Sequence, residues 1–66
     1  MQVQVNGESH EVERGATVAA LLDSLDLDPR GLAVERNQQL VPRTEHEATV
    51  LQAGDQVEVV TLVGGG

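Results

Sequence analysis

The stretch Val57-Glu58-Val59-Val60-Thr61-Leu62-Val63-Gly64-Gly65-Gly66 decides the fold. Its first part is rich in β-branched residues, which favour strands, and it ends in a run of glycines. We expect Val57 and Val59 to face the core, because alternate side chains of a strand point to the same side. We predict that this last strand lies in the middle of a sheet, beside the first strand of the chain and parallel to it.

The three glycines, Gly64, Gly65 and Gly66, are predicted to form a flexible tail. At a free carboxyl terminus they would make a thin arm without side chains, reaching about 10 Å beyond the last strand. Such an arm fits a narrow channel in another protein, because no Cβ atom can clash with the channel walls. The alternative is a frayed terminus or a remnant of an expression vector.

Two strands are predicted at the start of the chain. Residues Met1 to Val5 alternate between apolar and polar side chains, the pattern of a half-buried strand. The Asn6-Gly7 pair follows, and it is a strong hairpin signal because both positions tolerate positive φ. Residues Glu8 to Glu13 are therefore interpreted as the returning strand, with His10 and Val12 on one face.

A single amphipathic helix is predicted over about Val18 to Leu25. Thr17 is suited to cap it, because its hydroxyl can accept a hydrogen bond from the first turn. An apolar stripe at spacings i, i+3, i+4 and i+7 consists of Val18, Leu21, Leu22 and Leu25. Asp28-Pro29-Arg30-Gly31 supplies the predicted stop, and Leu27 is expected to fold back under the helix.

The remaining segments complete the sheet. Leu32 to Arg36 is interpreted as a third strand, followed by a turn at Asn37-Gln38-Gln39. Leu40-Val41 is interpreted as a short strand that ends at Pro42. The region 43–47 is expected to be irregular, and Ala53 to Gln56 to be a turn before the last strand. Two antiparallel strands, one crossing helix and a mixed sheet give an α+β fold of the β-grasp type, formed as one domain over residues 1–66.

Composition excludes several classes of function. The chain has 11 Asp+Glu, a net charge of −7 and no Phe, Tyr or Trp, which argues against nucleic-acid binding and favours a basic protein partner. It contains no cysteine, so thiol chemistry must come from a partner, and all its basic residues are arginine. No apolar run is long enough to span a bilayer, and no signal peptide is evident, so we expect a cytoplasmic protein, monomeric when free.

The histidines and acidic side chains do not have the spacing of a metal site. His10 and His46 lack the helical i, i+4 pairing of zinc proteases, and the nearby carboxylates are spread over strands and a loop. Solvated surface is the preferred interpretation of both histidines, and no bound metal or other cofactor is expected.

The sequence resembles the ThiS family of sulfur carrier proteins of thiamin (thiazole) biosynthesis. The likeness covers the whole chain and is carried by Asn6-Gly7, by the Thr17 helix with its paired leucines, by residues 37–43, by residues 54–57 and by the terminal glycines. The segment Asn37-Gln38-Gln39-Leu40-Val41-Pro42-Arg43 is its most specific part. Similarity to the small subunit of molybdopterin synthase and to ubiquitin is more distant.

The resemblance implies a definite chemistry at Gly66. An adenylating enzyme of the ThiF type would activate the terminal carboxylate with ATP and Mg²⁺ that it binds itself. A sulfur donor, such as a cysteine desulfurase, would convert the adenylate to a thiocarboxylate, and thiazole synthase would take the sulfur. The chain would not be an enzyme, since the reacting atom is a main-chain atom and no catalytic side chain is needed.

The outer face of the last strand is a candidate docking surface for these partners. It is expected to carry Glu58, Val60 and Leu62 beside the Gly64-Gly65 arm, and Val60 is similar in position to a recognition aliphatic of ubiquitin-like proteins. Scattered surface aliphatics are also common without any function. Three alternatives stay open: a carrier for molybdopterin synthase or another sulfur pathway, a protein modifier conjugated through Gly66, and a binding domain with an inert terminus.

Overall fold

The computed structural model describes residues 1–62, which form one sheet packed against one helix. The strands are β1 (Gln2–Val5), β2 (Glu8–Glu11), β3 (Leu32–Arg36), β4 (Gln39–Val41) and β5 (Gln56–Thr61), and the helix is α1 (Val18–Ser24). A 3-10 turn covers Arg43–Glu45, where we expected irregular chain. None of the helices within residues 1–62 is long and apolar enough to cross a membrane.

The sheet has the order β2-β1-β5-β3-β4, so β5 lies at its centre. It runs parallel to β1, with Val5 opposite Val57, and antiparallel to β3, with Val34 opposite Val59. The predicted order of elements and the central, parallel position of the last strand are therefore confirmed. The central position explains the β-branched composition, because this strand has neighbours on both edges.

The core lies between α1 and one face of the sheet. Within residues 1–62 its buried hydrophobic side chains are all aliphatic, and they are Val3, Val5, Val18, Leu21, Leu22, Val34, Val41, Leu51 and Val57. Val57 is 1% exposed and Val59 is half-buried against the same cluster, so both face the helix as predicted. A core without aromatic rings is small, and each leucine in it represents a large part of the buried apolar surface.

The helix begins and ends through local hydrogen bonds. Thr17 is its N-cap as predicted, accepting a hydrogen bond from Ala20 N at 3.1 Å. Its last residue is Ser24 and its C-cap is Leu25, which matches the predicted end to within one residue, and Asp26 lies outside the helix with a φ of 58°. Asp26 N then donates to Asp23 O, and Leu27 N donates to Leu22 O at 2.9 Å. This pattern is a Schellman motif, and it packs Leu27 against the core, as predicted.

Residues 28–31, which are predicted to end the helix, lie beyond it and form a turn of their own. Asp28 accepts hydrogen bonds from the backbone N–H of Arg30 and from its guanidinium. The positive φ of Asp26 was not predicted, because glycine is the usual residue at that position, although Asp tolerates positive φ better than most residues.

Candidate functional site

The outer face of the sheet, away from α1, carries an exposed apolar strip. Val60 lies on the face of β5 that points away from the core and is 53% exposed, and Leu62, just after the end of the strand, is 58% exposed. Register adds Leu40, 65% exposed, because it lies opposite Glu35, which in turn lies opposite Glu58. We call these five residues, Glu35, Leu40, Glu58, Val60 and Leu62, the outer patch.

The outer patch contains two carboxylates that face each other across β3 and β5. Glu35 and Glu58 are opposite in register and both are exposed. Neither takes part in any ion pair that residues 1–62 form. Like charges directly opposite one another destabilise a sheet, so this arrangement favours a cationic group from outside the chain.

The beginning of β5 is fixed by a buried aspartate. Asp55 is 6% exposed, and its carboxylate accepts hydrogen bonds from Gln52 N at 2.8 Å, from Asn37 Nδ2 at 3.0 Å and from Arg36 Nη1 at 3.2 Å. Burial raises the pKa of Asp55, but these three donors outweigh burial and hold the pKa below its ordinary value. The charged carboxylate therefore ties β3 to the turn that precedes β5.

Two asparagine side chains hold β5 itself, one from each side. Asn37 Oδ1 accepts a hydrogen bond from Gln56 N at 2.9 Å, at the start of the strand. Asn6 Oδ1 accepts from Val59 N at 2.8 Å, and Asn6 Nδ2 donates to Val59 O at 3.1 Å. We had predicted both asparagines only as turn residues, and Asp55 only as part of a turn. Turn propensity hides these roles, because Asn and Asp are favoured there for local reasons alone.

His46 corrects our expectation of a solvated surface residue. It is 4% exposed, and its Nε2 lies 3.1 Å from Val41 O. A carbonyl oxygen can only accept, so Nε2 carries the proton of this bond. The polar residues around His46 in the sequence gave no sign that the 3-10 turn folds it inward.

His10 is half-buried beside Val3 in the hairpin of β1 and β2. Residues 1–62 contain no group of three or more His, Asp or Glu side chains arranged to hold a metal ion.

The predicted reactive residue and its arm, Gly64, Gly65 and Gly66, lie outside the residues that the structure describes. The structure places Glu58, Val60 and Leu62 together on the outer patch, at the end of the strand that leads to those glycines. Their predicted role in binding a partner stays a prediction.

The chain is similar to known proteins over its whole length. The model of the ThiS family matches residues 3–66. The sulfur carrier protein ThiS of Escherichia coli (strain K12) is 36% identical over 66 residues, which are 100% of both chains. A crystal structure of the thiamine biosynthesis protein ThiS from Geobacter metallireducens has 34% identity and a TM-score of 0.83, and the match covers 100% of each chain.

Two further relatives are much longer proteins. A protein of Magnetococcus marinus named thiazole synthase is 47% identical over 66 residues, which are 100% of this chain and 20% of the relative. The thiazole synthase of Paramagnetospirillum magneticum is also matched over 20% of its length. This chain thus spans about a fifth of those two relatives. The match to the family model, together with the full-length likeness to the carrier proteins, confirms the β-grasp fold and shows that the chain belongs to the ThiS family.

Proposed function

We propose that this chain is a non-enzymatic sulfur carrier for thiamine biosynthesis, with the sulfur held on the main-chain carbonyl carbon of Gly66. The observation that carries the proposal is the family match, which extends to the last glycine at residue 66. The fold supports it, because the central strand β5 leads directly towards those glycines. Side-chain chemistry is not required, since the reacting group is a terminal carboxylate.

The proposed reaction has two displacement steps. A carboxylate is a poor acyl donor until one oxygen becomes a leaving group, so an adenylating enzyme of the ThiF type first joins it to AMP and releases pyrophosphate from ATP. Mg²⁺ in that enzyme would balance the phosphate charge. Sulfide then displaces AMP directly. Where a cysteine desulfurase is the donor, the sulfur arrives as a persulfide whose terminal sulfur displaces AMP, and a thiol reductant then cleaves the S–S bond of the resulting acyl disulfide. The product is a thiocarboxylate at Gly66.

The outer patch is the proposed docking surface for the adenylating enzyme. Val60 and Leu62 are exposed near the end of the strand that leads to the arm, where a partner that encloses the arm would also cover them, and Leu40 extends the apolar surface to β4. Glu35 and Glu58 form no ion pair within residues 1–62, and their carboxylates, together with the net charge of −7, complement a basic partner surface. Docking there would bury apolar surface and relieve the repulsion between the two carboxylates.

Thiazole synthase is the proposed acceptor of the sulfur. Two relatives with that name contain a segment similar to this entire chain, which favours the thiazole pathway over molybdopterin synthase. We place the reaction in the cytoplasm, where thiols are kept reduced. Conjugation to lysines of other proteins is the alternative of a different class.

The direct test is ATP–pyrophosphate exchange with a purified ThiF-type enzyme. We expect exchange with the chain that ends at Gly66, and loss of exchange when Gly66 is deleted or when one alanine follows it. Deletion shortens the arm by about 3.5 Å, and extension moves the carboxylate past the reactive position by the same distance. Far-UV circular dichroism of each variant serves as the control that the fold is intact. Exchange that survives both changes would overturn the role of Gly66.

Mass spectrometry of the intact protein from cells separates the remaining alternatives. A sulfur in place of one terminal oxygen of Gly66 supports the carrier, whereas covalent adducts on the lysines of other proteins support a modifier. A natural product that continues past residue 66 without cleavage would have no such carboxylate and would refute the proposal.

A further inference from the structure

The side chain of Asn6 makes the hydrogen bonds to β5 that the main chain of β1 would make if that strand were longer. The hydrogen bond from Asn6 N to Val57 O, 2.9 Å long, is the last main-chain bond between β1 and β5. In a continued parallel ladder, the carbonyl of residue 6 would accept from Val59 N, and the N–H of residue 8 would donate to Val59 O. The turn at Asn6-Gly7 instead directs the chain into β2. The side-chain amide of Asn6 supplies both the acceptor and the donor at Val59.

The conformation of Asn6 makes this substitution possible. Its φ is 50°, the left-handed region that asparagine tolerates better than most residues. In this conformation the side-chain amide, which resembles a peptide group, lies beside β5 on the side of β1. A glycine at this position would keep the turn but would leave both polar groups of Val59 without that partner.

The contact between Asn6 and Val59 lies near the C-terminal end of β5. Among residues 1–62, β1 has no residue opposite Thr61, and the bond from Leu62 N to Gly31 O, 2.9 Å long, lies on the β3 side. Within residues 1–62, the Asn6 side chain therefore makes the last hydrogen bonds to β5 from the β1 side before the chain continues towards the glycines. Without it, the end of β5 would be held from one side only and would pivot about β3.

We propose that Asn6 is a positioning residue for transfer: it fixes the point and direction in which the C-terminal segment leaves the sheet, and so delivers Gly66 to the adenylating site. This inference rests on the proposed function. In a carrier that docks through the outer patch, the point where the chain leaves the sheet sets the region that its terminal carboxylate can reach. An end of β5 that pivots would spread that carboxylate over many positions, which lowers the rate at the step of chemistry rather than docking.

The chain offers a matched control for this idea. Asn37 also has a positive φ, 52°, and its amide also makes one accepted and one donated bond, to Gln56 N and to Asp55 Oδ1. It holds the opposite end of the same strand. Asn6→Gly and Asn37→Gly therefore each remove two side-chain hydrogen bonds, both to Val59 in the first variant and to Gln56 and the preceding Asp55 in the second. Glycine accepts the backbone conformation in both cases. Asn6→Asp is a third variant, which keeps the acceptor for Val59 N but loses the donor for Val59 O.

Amide hydrogen exchange of the full chain tests whether Asn6 holds β5. We expect Asn6→Gly to speed the exchange of Val59 N–H about tenfold, the effect of losing one net hydrogen bond. Asn37→Gly should speed the exchange of Gln56 N–H and leave that of Val59 near the wild-type rate. Equal acceleration at Val59 in both variants would mean a general loss of stability and would overturn the proposal.

Steady-state adenylation by a ThiF-type enzyme tests the consequence. Asn6→Gly should lower kcat about tenfold with little change in KM, because misplacement of a reacting group costs rate rather than docking. Asn6→Asp should lie between Asn6→Gly and wild type, and Asn37→Gly should load at close to the wild-type kcat. A wild-type kcat for Asn6→Gly, an effect on KM alone, or an equal loss in Asn37→Gly would refute the positioning role.

Failure of the proposed function has a different signature. If the enzyme does not adenylate the wild-type chain at all, the carrier function and the role of Asn6 in transfer fall together. If the wild-type chain is loaded while Asn6→Gly is loaded equally well, the carrier function stands and only the inference about Asn6 falls.

Discussion

Replacement of Asp55 by asparagine tests the buried junction that fixes the start of β5. The carboxylate receives three donors, and two of them, Gln52 N and Arg36 Nη1, converge on the same oxygen, Oδ2. An amide has one acceptor oxygen. In its cheaper orientation that oxygen faces Gln52 and Arg36, and its NH₂ group then meets Asn37 Nδ2, which is itself a donor. Either orientation leaves at least one donor without a partner.

The magnitude follows from these contacts. A hydrogen bond to a charged group contributes about 1.5–3 kcal/mol, and a buried donor without a partner costs about 1–3 kcal/mol. Arg36 is 32% exposed, so its share lies at the lower end because solvent screens it. We expect Asp55→Asn to cost about 2–3 kcal/mol, out of a total of about 3–10 kcal/mol for a chain of this size. The midpoint of thermal unfolding should then fall by about 10–20 °C.

The pH dependence of this cost is the sharper part of the test. Burial raises the pKa of Asp55, but hydrogen bonds from Gln52, Asn37 and Arg36 bring the net pKa below its ordinary value. Because the folded pKa is depressed, the contribution is fully present above the unfolded pKa of about 4 and is lost as pH falls through the folded pKa. The difference in unfolding free energy between wild type and Asp55→Asn should therefore be constant from pH 7 to about pH 5 and should narrow below about pH 4.

Urea unfolding followed by far-UV circular dichroism is the appropriate assay, since the chain has no Trp, Tyr or Phe to serve as a fluorescent probe. The matched control is Asp28→Asn. Asp28 has its pKa lowered to about 2, first by the side-chain hydrogen bond from Arg30, but it is solvent-exposed. That substitution should leave the unfolding midpoint nearly unchanged at pH 7. A cost for Asp55→Asn of less than about 0.5 kcal/mol, or one that does not narrow in acid, would refute this account.

Three other predictions concern the outer patch and the core. Glu58→Gln should stabilise the fold by about 0.2–1 kcal/mol, since it removes a like charge opposite Glu35, yet it should slow association with the adenylating enzyme at low salt. Urea unfolding measures the first effect and stopped-flow binding the second; a variant that is more stable and binds faster, or is less stable and binds more slowly, would contradict the prediction. Val60→Asp should raise the KM for adenylation while changing the free energy of unfolding by no more than about 0.5 kcal/mol, because the side chain is 53% exposed. The KM of Leu40→Asp shows how far the docking surface extends. If Val60→Asp unfolded the protein, Val60 would have to belong to the core. Leu22→Ala should cost about 2–5 kcal/mol as a cavity at a site that is 1% exposed, so near-wild-type urea stability would show that this core collapses around the gap.

The elements with a regular pattern were predictable from the sequence. The stripe of Val18, Leu21 and Leu22 repeats with the helical period, and the strands β1 and β5 alternate with period two, so burial of one face dictates both. The parallel pairing of the first and last strands followed from the order of the elements. The outward direction of Val60 and Leu62 followed from the same alternation. The fold and the docking face were therefore accessible because they depend on periodic burial.

The polar junctions were not accessible in the same way. Asp55, Asn37 and Asn6 all lie in segments with ordinary turn composition, and their partners are up to 53 residues away in the sequence. Burial of His46 depends on a 3-10 turn that packs inward, for which no periodic signal exists. Single polar contacts over long sequence distances have no repeat from which they could be inferred. They became visible only when β5 was placed between β1 and β3.

The arrangement of these junctions separates the stability of the body from the delivery of the arm. Asp55 and Asn37 act at or before Gln56, and loss of the buried Asp55 carboxylate weakens the junction that joins β3 to the start of β5. Asn6 acts at Val59, after the last pair between β1 and β5, where loss of a bond frees mainly the segment that leads to the glycines. Since a carrier must enter and leave several partners without unfolding, we expect the two properties to respond to different substitutions. Asp55→Asn should lower the unfolding midpoint with little effect on kcat at temperatures where the protein is folded, and Asn6→Gly should do the reverse. If the two variants ranked in the same order for both properties, the sheet and the arm would be one cooperative unit, and the separation would not exist.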